Sequence, residues 1–235
     1  MDETSNFDFK KLFEELSSLG AFSVELRFYF TPNLKLLKQI LNKTKGLRIR
    51  NIELVLPYGE EIKFEVFSNI FYDFGIVSKI VIYDSPRNIF KVCDRGINYI
   101  YLTQMIVPNT HCGNIHKDYF SINLDTFTES QHHNTCLNRK ISIDQNGNIK
   151  NCPSMTESYG NIATTTLQEA LDHPDFKKYW NIKKDQINVC QDCEFRHICT
   201  DCELIEKILM TYIQNRSNVA TILILVNGKS GVRIR

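Results

Sequence analysis

Six of the eight cysteines in this chain fall between Cys136 and Cys202, and four of them form the run C-x2-C-x5-C-x2-C at Cys190, Cys193, Cys199 and Cys202. A C-x2-C pair on a tight turn aims two thiolates at one centre, and two such pairs supply a complete ligand shell. Upstream, Cys136 and Cys152 bracket Gly147 in the pattern C-x10-G-x4-C. Such a stretch folds as short elements gathered around a metal group, because buried free thiols seldom recur at these spacings. Zinc and iron–sulfur clusters both accept thiolate shells, so spacing alone leaves that choice open.

The thiols also need a reducing compartment. The N-terminus, MDETSNFDF, is acidic and lacks the basic-then-apolar order of a signal peptide. No apolar run reaches the roughly 18 residues that a membrane span requires. The expected location is cytoplasmic. With 28 Lys+Arg against 27 Asp+Glu the formal net charge is +1. That balance creates no global field, so neither nucleic acid nor a membrane is expected as a partner. At 235 residues, 43% of them hydrophobic, the chain can bury a sizeable core.

The part before the cysteines alternates helix and strand. Phe7, Phe9, Leu12, Phe13 and Leu16 recur at helical spacing, and Gly20 stops the helix. In AFSVELRFYF, residues Phe22, Val24, Leu26 and Phe28 alternate as in a strand. Asn33 to Lys43 reads as a helix and Ile49 to Leu56 as a strand. After a turn at Pro57-Tyr58-Gly59, Glu60 to Phe74 reads as a helix and Lys79 to Tyr83 as a strand. Short links in this order predict a parallel sheet with crossover helices. Ile97 to Val107 and Tyr119 to Phe127 are read as two further strands. Three βα units are too few for a closed barrel. Either the chain lacks the start of a larger sheet or it forms a small open one.

The second part begins near His111. ISIDQNGNIKNC predicts a hairpin turning at Asn146-Gly147. Short helices are expected at Leu167 to Leu171 and around Phe176 to Trp180.

The run CLNRKISIDQNGNIKNCPSM, then YGNI, then KKYWNIKKDQINVCQDCEFRHICTDC resembles the SPASM domain of peptide-modifying radical S-adenosylmethionine (SAM) enzymes. The third cysteine spacing is x2 here where that family has x3. HCGNI at 111–115, YFSINLDTFTESQ at 119–131 and HNTCLNRKISID at 133–144 are similar to one subgroup, the peptide maturases of grasp-with-spasm systems. The resemblance covers most of Phe7 to Cys202. It implies auxiliary [4Fe–4S] clusters, one or two, with Cys136, Cys152 and Cys202 on one and Cys190, Cys193 and Cys199 on the other. Cys112 becomes the candidate fourth ligand of the first, with His132 or His133 a weaker option. A buried structural thiol is the open alternative for Cys112, and Cys93, in a polar loop, is read as structural or incidental. The implied partners are a ribosomally made precursor peptide and an ATP-grasp ligase. The implied fold is a partial (β/α) barrel-like parallel sheet over residues 1–110, followed by a SPASM iron–sulfur domain over 111–202. The open alternatives are a zinc-stabilised peptide-binding module without redox role and a non-functional truncated gene product.

No C-x3-C-x2-C triad precedes Cys93, so no radical SAM cleavage is expected, and no catalytic or further cofactor-binding residue is assigned. The P-loop, nucleophile-elbow and HExxH motifs are absent as well. Residues 203–235 carry no cysteine. Reading them back by one base from Cys202 with suitable codons recovers a Cys-Gly-Tyr-Asn-Pro segment like the family's ending. The tail is therefore expected to be frameshifted and non-native, with few contacts to the core.

Overall fold

The computed structural model describes residues 7–59, 74–92, 96–106, 120–188, 190–199, 221–226 and 233–234. Helix α1 (Phe9–Ser18) starts where the Asp8 carboxylate accepts the amides of Lys10 and Lys11 at 3.0 and 3.2 Å. It buries Phe9, Leu12, Phe13 and Leu16 along one face. Gly20 then turns the chain at φ +75°, a left-handed conformation that favours glycine. Strand β1 (Ser23–Phe28) follows, then helix α2 (Leu34–Asn42), whose first turn is capped by Asn33 Oδ1 accepting from the Leu36 amide at 2.8 Å. Strand β2 (Asn51–Pro57) and strand β3 (Val77–Tyr83) complete the expected alternation. The helix expected between them lies largely outside the described residues.

Strands β1, β2 and β3 pair parallel, as predicted, and β5 (Asn98–Tyr101) adds to β3 in the same sense. Strand β4 (Ile89–Val92), which the sequence did not announce, pairs antiparallel with β5 and forms one end of the sheet. All four of its residues are exposed, so no burial pattern marked it. Among the described residues of the strand expected over Ile97 to Val107, only Asn98–Tyr101 is strand.

The two faces of this sheet differ. Val24, Leu26, Phe28, Leu54, Leu56, Ile80, Ile82 and Tyr99 are buried in one hydrophobic core with α1 and α2. Between them, on the other face, stand Glu25, Arg27, Glu53 and Lys79. Arg27 pairs with Glu25 at 2.8 Å and Lys79 with Glu53 at 2.5 Å. Alternation therefore survives where a parallel sheet covered on both faces would show continuous apolar runs. At the far end, the Tyr83 hydroxyl donates to the Phe28 carbonyl at 3.0 Å, and burial pushes its pKa up to about 12.

The second part joins the same sheet. Strand β6 (Ile141–Ile143) and strand β7 (Ile149–Lys150) form the predicted hairpin, with Gly147 at φ +82° in its turn. Ile141, Ile143 and Ile149 enter the core beneath α1, with Leu167 and Ala170 of a further helix, Leu167–Asp172. That helix is tied to α1 by Glu15 Oε2, which accepts the Leu167 amide at 2.8 Å. The hydrophobic core thus crosses the boundary near residue 110 that the cysteine distribution suggested.

Two expectations are corrected here. Tyr119 to Phe127 is not a strand among its described residues: Phe120 makes only an isolated bridge to Cys199, and helix α3 (Leu124–Ser130) takes up Leu124 to Phe127. Asn123 Oδ1 accepts the Thr126 amide at 2.7 Å and Asp125 sits in the first turn, a helix start that outweighs the alternating pattern. The helix Leu167–Asp172 is α4 in chain order. The short helix expected around Phe176 to Trp180 is a series of turns, with amides at Phe176, Lys178 and Trp180 each reaching back three residues.

Of residues 203–235 the structure describes 221–226 and 233–234. Strand β8 (Thr221–Val226) lies between β1 and β6 and pairs parallel with both, and β9 (Arg233–Ile234) runs antiparallel to it. TILILV has high strand propensity, and the two flanking strands satisfy its backbone polar groups. The sheet order is β4-β5-β3-β2-β1-β9-β8-β6-β7, with β1 also paired to β8.

Candidate metal centre

The hairpin turn determines where Cys152 comes. Asp144 accepts the amides of Asn146 and Asn148 at 2.9 and 3.0 Å and pairs with Lys150 at 3.0 Å. Burial pushes this carboxyl up, but the bonds from Asn148 and Lys150 outweigh it and hold the group below the usual carboxylate range. Gly147 is required twice over. Its φ is positive, and a Cβ there would meet the Asn161 side chain at 3.1 Å and Ile162 at 3.2 Å. The strip Tyr159–Ile162 is laced to the hairpin by Tyr159 N–H to Ile149 O, Ile149 N–H to Gly160 O and Ile162 N–H to Gly147 O, at 2.8 to 2.9 Å.

Two buried asparagines place the first pair of thiols. Asn134 Oδ1 accepts the amides of Cys136 and Leu137 at 3.0 and 2.9 Å, forming the turn that carries Cys136. Asn151, fully buried, donates to the carbonyls of Leu137 and Lys140 at 3.0 and 2.6 Å. The residue before Cys152 thereby holds the Cys136 loop.

The second group forms on consecutive turns. The Cys190 amide bonds Ile187 O, the Cys193 amide bonds Cys190 O, and the Cys199 amide bonds Phe195 O, at 2.8 to 2.9 Å. Arg196 donates to Cys193 O at 2.8 Å and to Asp185 at 2.7 Å. The Arg196 guanidinium holds the Asp185 carboxyl below its usual range. The Cys199 carbonyl accepts from the Thr135 hydroxyl at 3.2 Å and from Lys184 Nζ at 2.8 Å. Those bonds bring the second cysteine group against the residue preceding Cys136.

Cys136, Cys152, Cys190 and Cys199 are buried, Cys193 is exposed, and none of the five forms a disulfide. Cys136, Cys152 and Cys190 pack in one apolar cluster with Leu137, Met155, Tyr179 and Ile187. Cys112, Cys202 and Cys93 lie outside the described residues. His133 Nδ1 is taken up by Asn181 Oδ1 at 3.1 Å, and His132 is exposed. His133 lines a cavity of about 670 Å³ with Asp125, Thr128, Glu129, Asn138 and Arg139. His197 bonds Ser130 through Nδ1 at 3.1 Å, and burial lowers its pKa.

The donor chemistry fits an iron–sulfur group: soft thiols, mostly buried, in apolar surroundings. Trp180 packs against the same cluster with its Nε1 buried and without a hydrogen-bond partner among the described residues. Among those residues, no group of three or more His, Cys, Asp or Glu is arranged to hold a metal ion. The described thiols are candidate donors that do not by themselves close a shell.

Residues 135–194 match the family model of SPASM, an iron-sulfur cluster-binding domain. Neither a curated protein nor a solved structure matches the chain. The match begins one residue before Cys136 and ends one residue after Cys193, so it spans the hairpin, its lacing strip and the first C-x2-C turn. No helix among the described residues is long and apolar enough to cross a membrane. Sequence reasoning missed Asn134, Lys140 and Lys184, none of which belongs to a metal-ligand pattern.

Proposed function

We propose that this chain is the SPASM-domain component of a grasp-with-spasm system. It binds one or two auxiliary [4Fe–4S] clusters through Cys136, Cys152, Cys190, Cys193, Cys199 and Cys202, with Cys112 as a further ligand. It presents a ribosomally made precursor peptide to an ATP-grasp ligase in the cytoplasm. The observation that carries this reading is the SPASM match over 135–194, coinciding with three buried thiols, Cys136, Cys152 and Cys190, and the asparagine-built turns that place the first two. When bound, such clusters supply one-electron transfer or a structural staple. The chain's own residues do the remaining work: Asn134 and Asn151 hold the cysteine loops, and the apolar cluster around Cys136 and Cys152 excludes water.

Anaerobic reconstitution with iron and sulfide tests the metal. A brown protein with acid-labile sulfide and broad absorbance near roughly 400 nm supports the reading. Stoichiometric zinc without sulfide favours the zinc-stabilised module. Added SAM and reductant are expected to yield no 5′-deoxyadenosine. Pull-down with an ATP-grasp ligase and a short peptide encoded beside it tests the partners, and no retention of either sinks that part.

A further inference from the structure

Three lysines of the cysteine-rich part are largely buried, and they differ in what faces them. Lys150 has its own carboxylate, Asp144, at 3.0 Å. Lys140 is 6% exposed, and its Nζ donates to Cys136 Sγ at 3.5 Å. Lys184 is 3% exposed, and its Nζ donates to the Cys199 carbonyl at 2.8 Å. No carboxylate among the described residues forms an ion pair with Lys140 or Lys184. Withdrawing an ammonium from water is unfavourable unless negative charge faces it. A neutral thiol is a weak acceptor and offsets little of that cost, whereas a thiolate makes a charge-assisted bond.

Lys140 is also held in place. Its amide bonds Leu137 O at 3.3 Å, its carbonyl accepts from Asn151, and the next residue, Ile141, is anchored in the sheet core. The side chain is thereby fixed toward the thiol four residues earlier.

Building on the iron–sulfur reading above, we infer that Lys140 is the counter-ion of the thiolate-held group at Cys136, retaining that group and raising its reduction potential. One electron from a low-potential donor such as dithionite enters the cluster. No bond to the protein forms or breaks, and no proton moves. The added negative charge is stabilised by the fixed ammonium, so removing the ammonium disfavours the reduced form. Lys184 acts in the same direction but more weakly, because it faces a carbonyl and not a thiol.

The test is an anaerobic redox titration of the reconstituted full chain, followed by electron paramagnetic resonance with iron and sulfide counts. The variants are Lys140→Met, Lys140→Gln, Lys140→Arg and Lys184→Met, with Lys79→Met as a control on the distant sheet. At the wild-type midpoint, Lys140→Met and Lys140→Gln are expected to lower the reduced-to-oxidised ratio about tenfold, about 59 mV for a one-electron couple. Lys140→Arg should stay near wild type, Lys184→Met should shift less, and Lys79→Met should not shift. If the neutral variants fold by circular dichroism but lose iron while Lys140→Arg keeps it, the retention role holds. An unchanged midpoint with the cluster retained in a neutral variant overturns the inference, and so does Lys140→Arg falling as far as Lys140→Met. Should wild-type protein itself take up no iron and sulfide, the iron–sulfur reading fails first and this inference with it.

Discussion

The parallel sheet and the cysteine-bearing loops are built on different principles. In the sheet, strands of six or seven residues pair side by side, and their apolar face is closed by α1 and α2. Hydrocarbon burial alone suffices there, at roughly 25 cal/mol per Å² removed from water. Around Cys136 and Cys152 the strands are two or three residues long, the link from His173 to Lys183 is turns, and the apolar cluster has seven buried members, three of them cysteines. That cluster is too small to order its loops by burial, so buried asparagines and lysines hold them. A region organised in this way stands to gain its last cross-links from a bound metal group, because metal binding and folding are coupled.

Removing the metal group should therefore separate the two regions most sharply. Oxidative destruction of the clusters followed by chelation is expected to strip amide-exchange protection from residues 134–138, 152–155 and 187–199, while β1 to β3 and the β6–β7 hairpin that shares their core stay protected. Equal loss across both regions would break the distinction. Next in size, Leu26→Ala, at a fully buried position of β1, should cost about 3 kcal/mol in denaturant unfolding. It should leave the reconstituted iron content of the surviving folded fraction unchanged. Asn151→Ala should do the reverse. It leaves two buried carbonyls without donors, at about 2 kcal/mol, and lets the Cys136 and Cys152 loops part, so iron per folded protein should drop. If iron content is unaffected, the asparagine tie does not serve the site.

Gly147→Ala is a smaller perturbation of the same region, about 1 kcal/mol from the positive φ and the close approach of Asn161 and Ile162. A thermal melt of the apoprotein should detect it. The smallest effect is acid sensitivity. Asp144 and Asp185 are both held below the usual carboxylate range, so the unfolded chain binds more protons than the native one. Their contribution is fully present above the ordinary carboxylate pKa and is lost as pH falls through the depressed values, below about pH 4. Asp144→Asn should flatten the acid limb of the melting curve, and an unchanged limb would remove Asp144 from the account.

Much of this was written in local sequence. The α1 and α2 periodicities, the parallel order of β1, β2 and β3, the Asn146-Gly147 hairpin and the α4 helix all follow from short-range pattern, because a helix face or a turn needs only its own residues. The cysteine spacings named the candidate donors for the same reason, since a C-x2-C turn is a local device. Where two local patterns competed, sequence reading failed. The alternation in YFSINLDTF lost to the Asn123 cap, and the apolar spacing from Phe176 to Trp180 produced turns and no helix.

Tertiary structure alone decided what lies between distant residues. Ile141, Ile143 and Ile149 share one core with α1 although more than a hundred residues separate them from it, so that core runs across residue 110. Thr221–Val226 found a place between β1 and β6, because an apolar run satisfies its backbone wherever two strand edges stand open. Lys140 and Lys184 look like surface charges in sequence. Only the packed loops bury them beside Cys136 and Cys199, because burial and electrostatic partnership depend on what surrounds a residue in space, and the spacing of a motif carries no record of that.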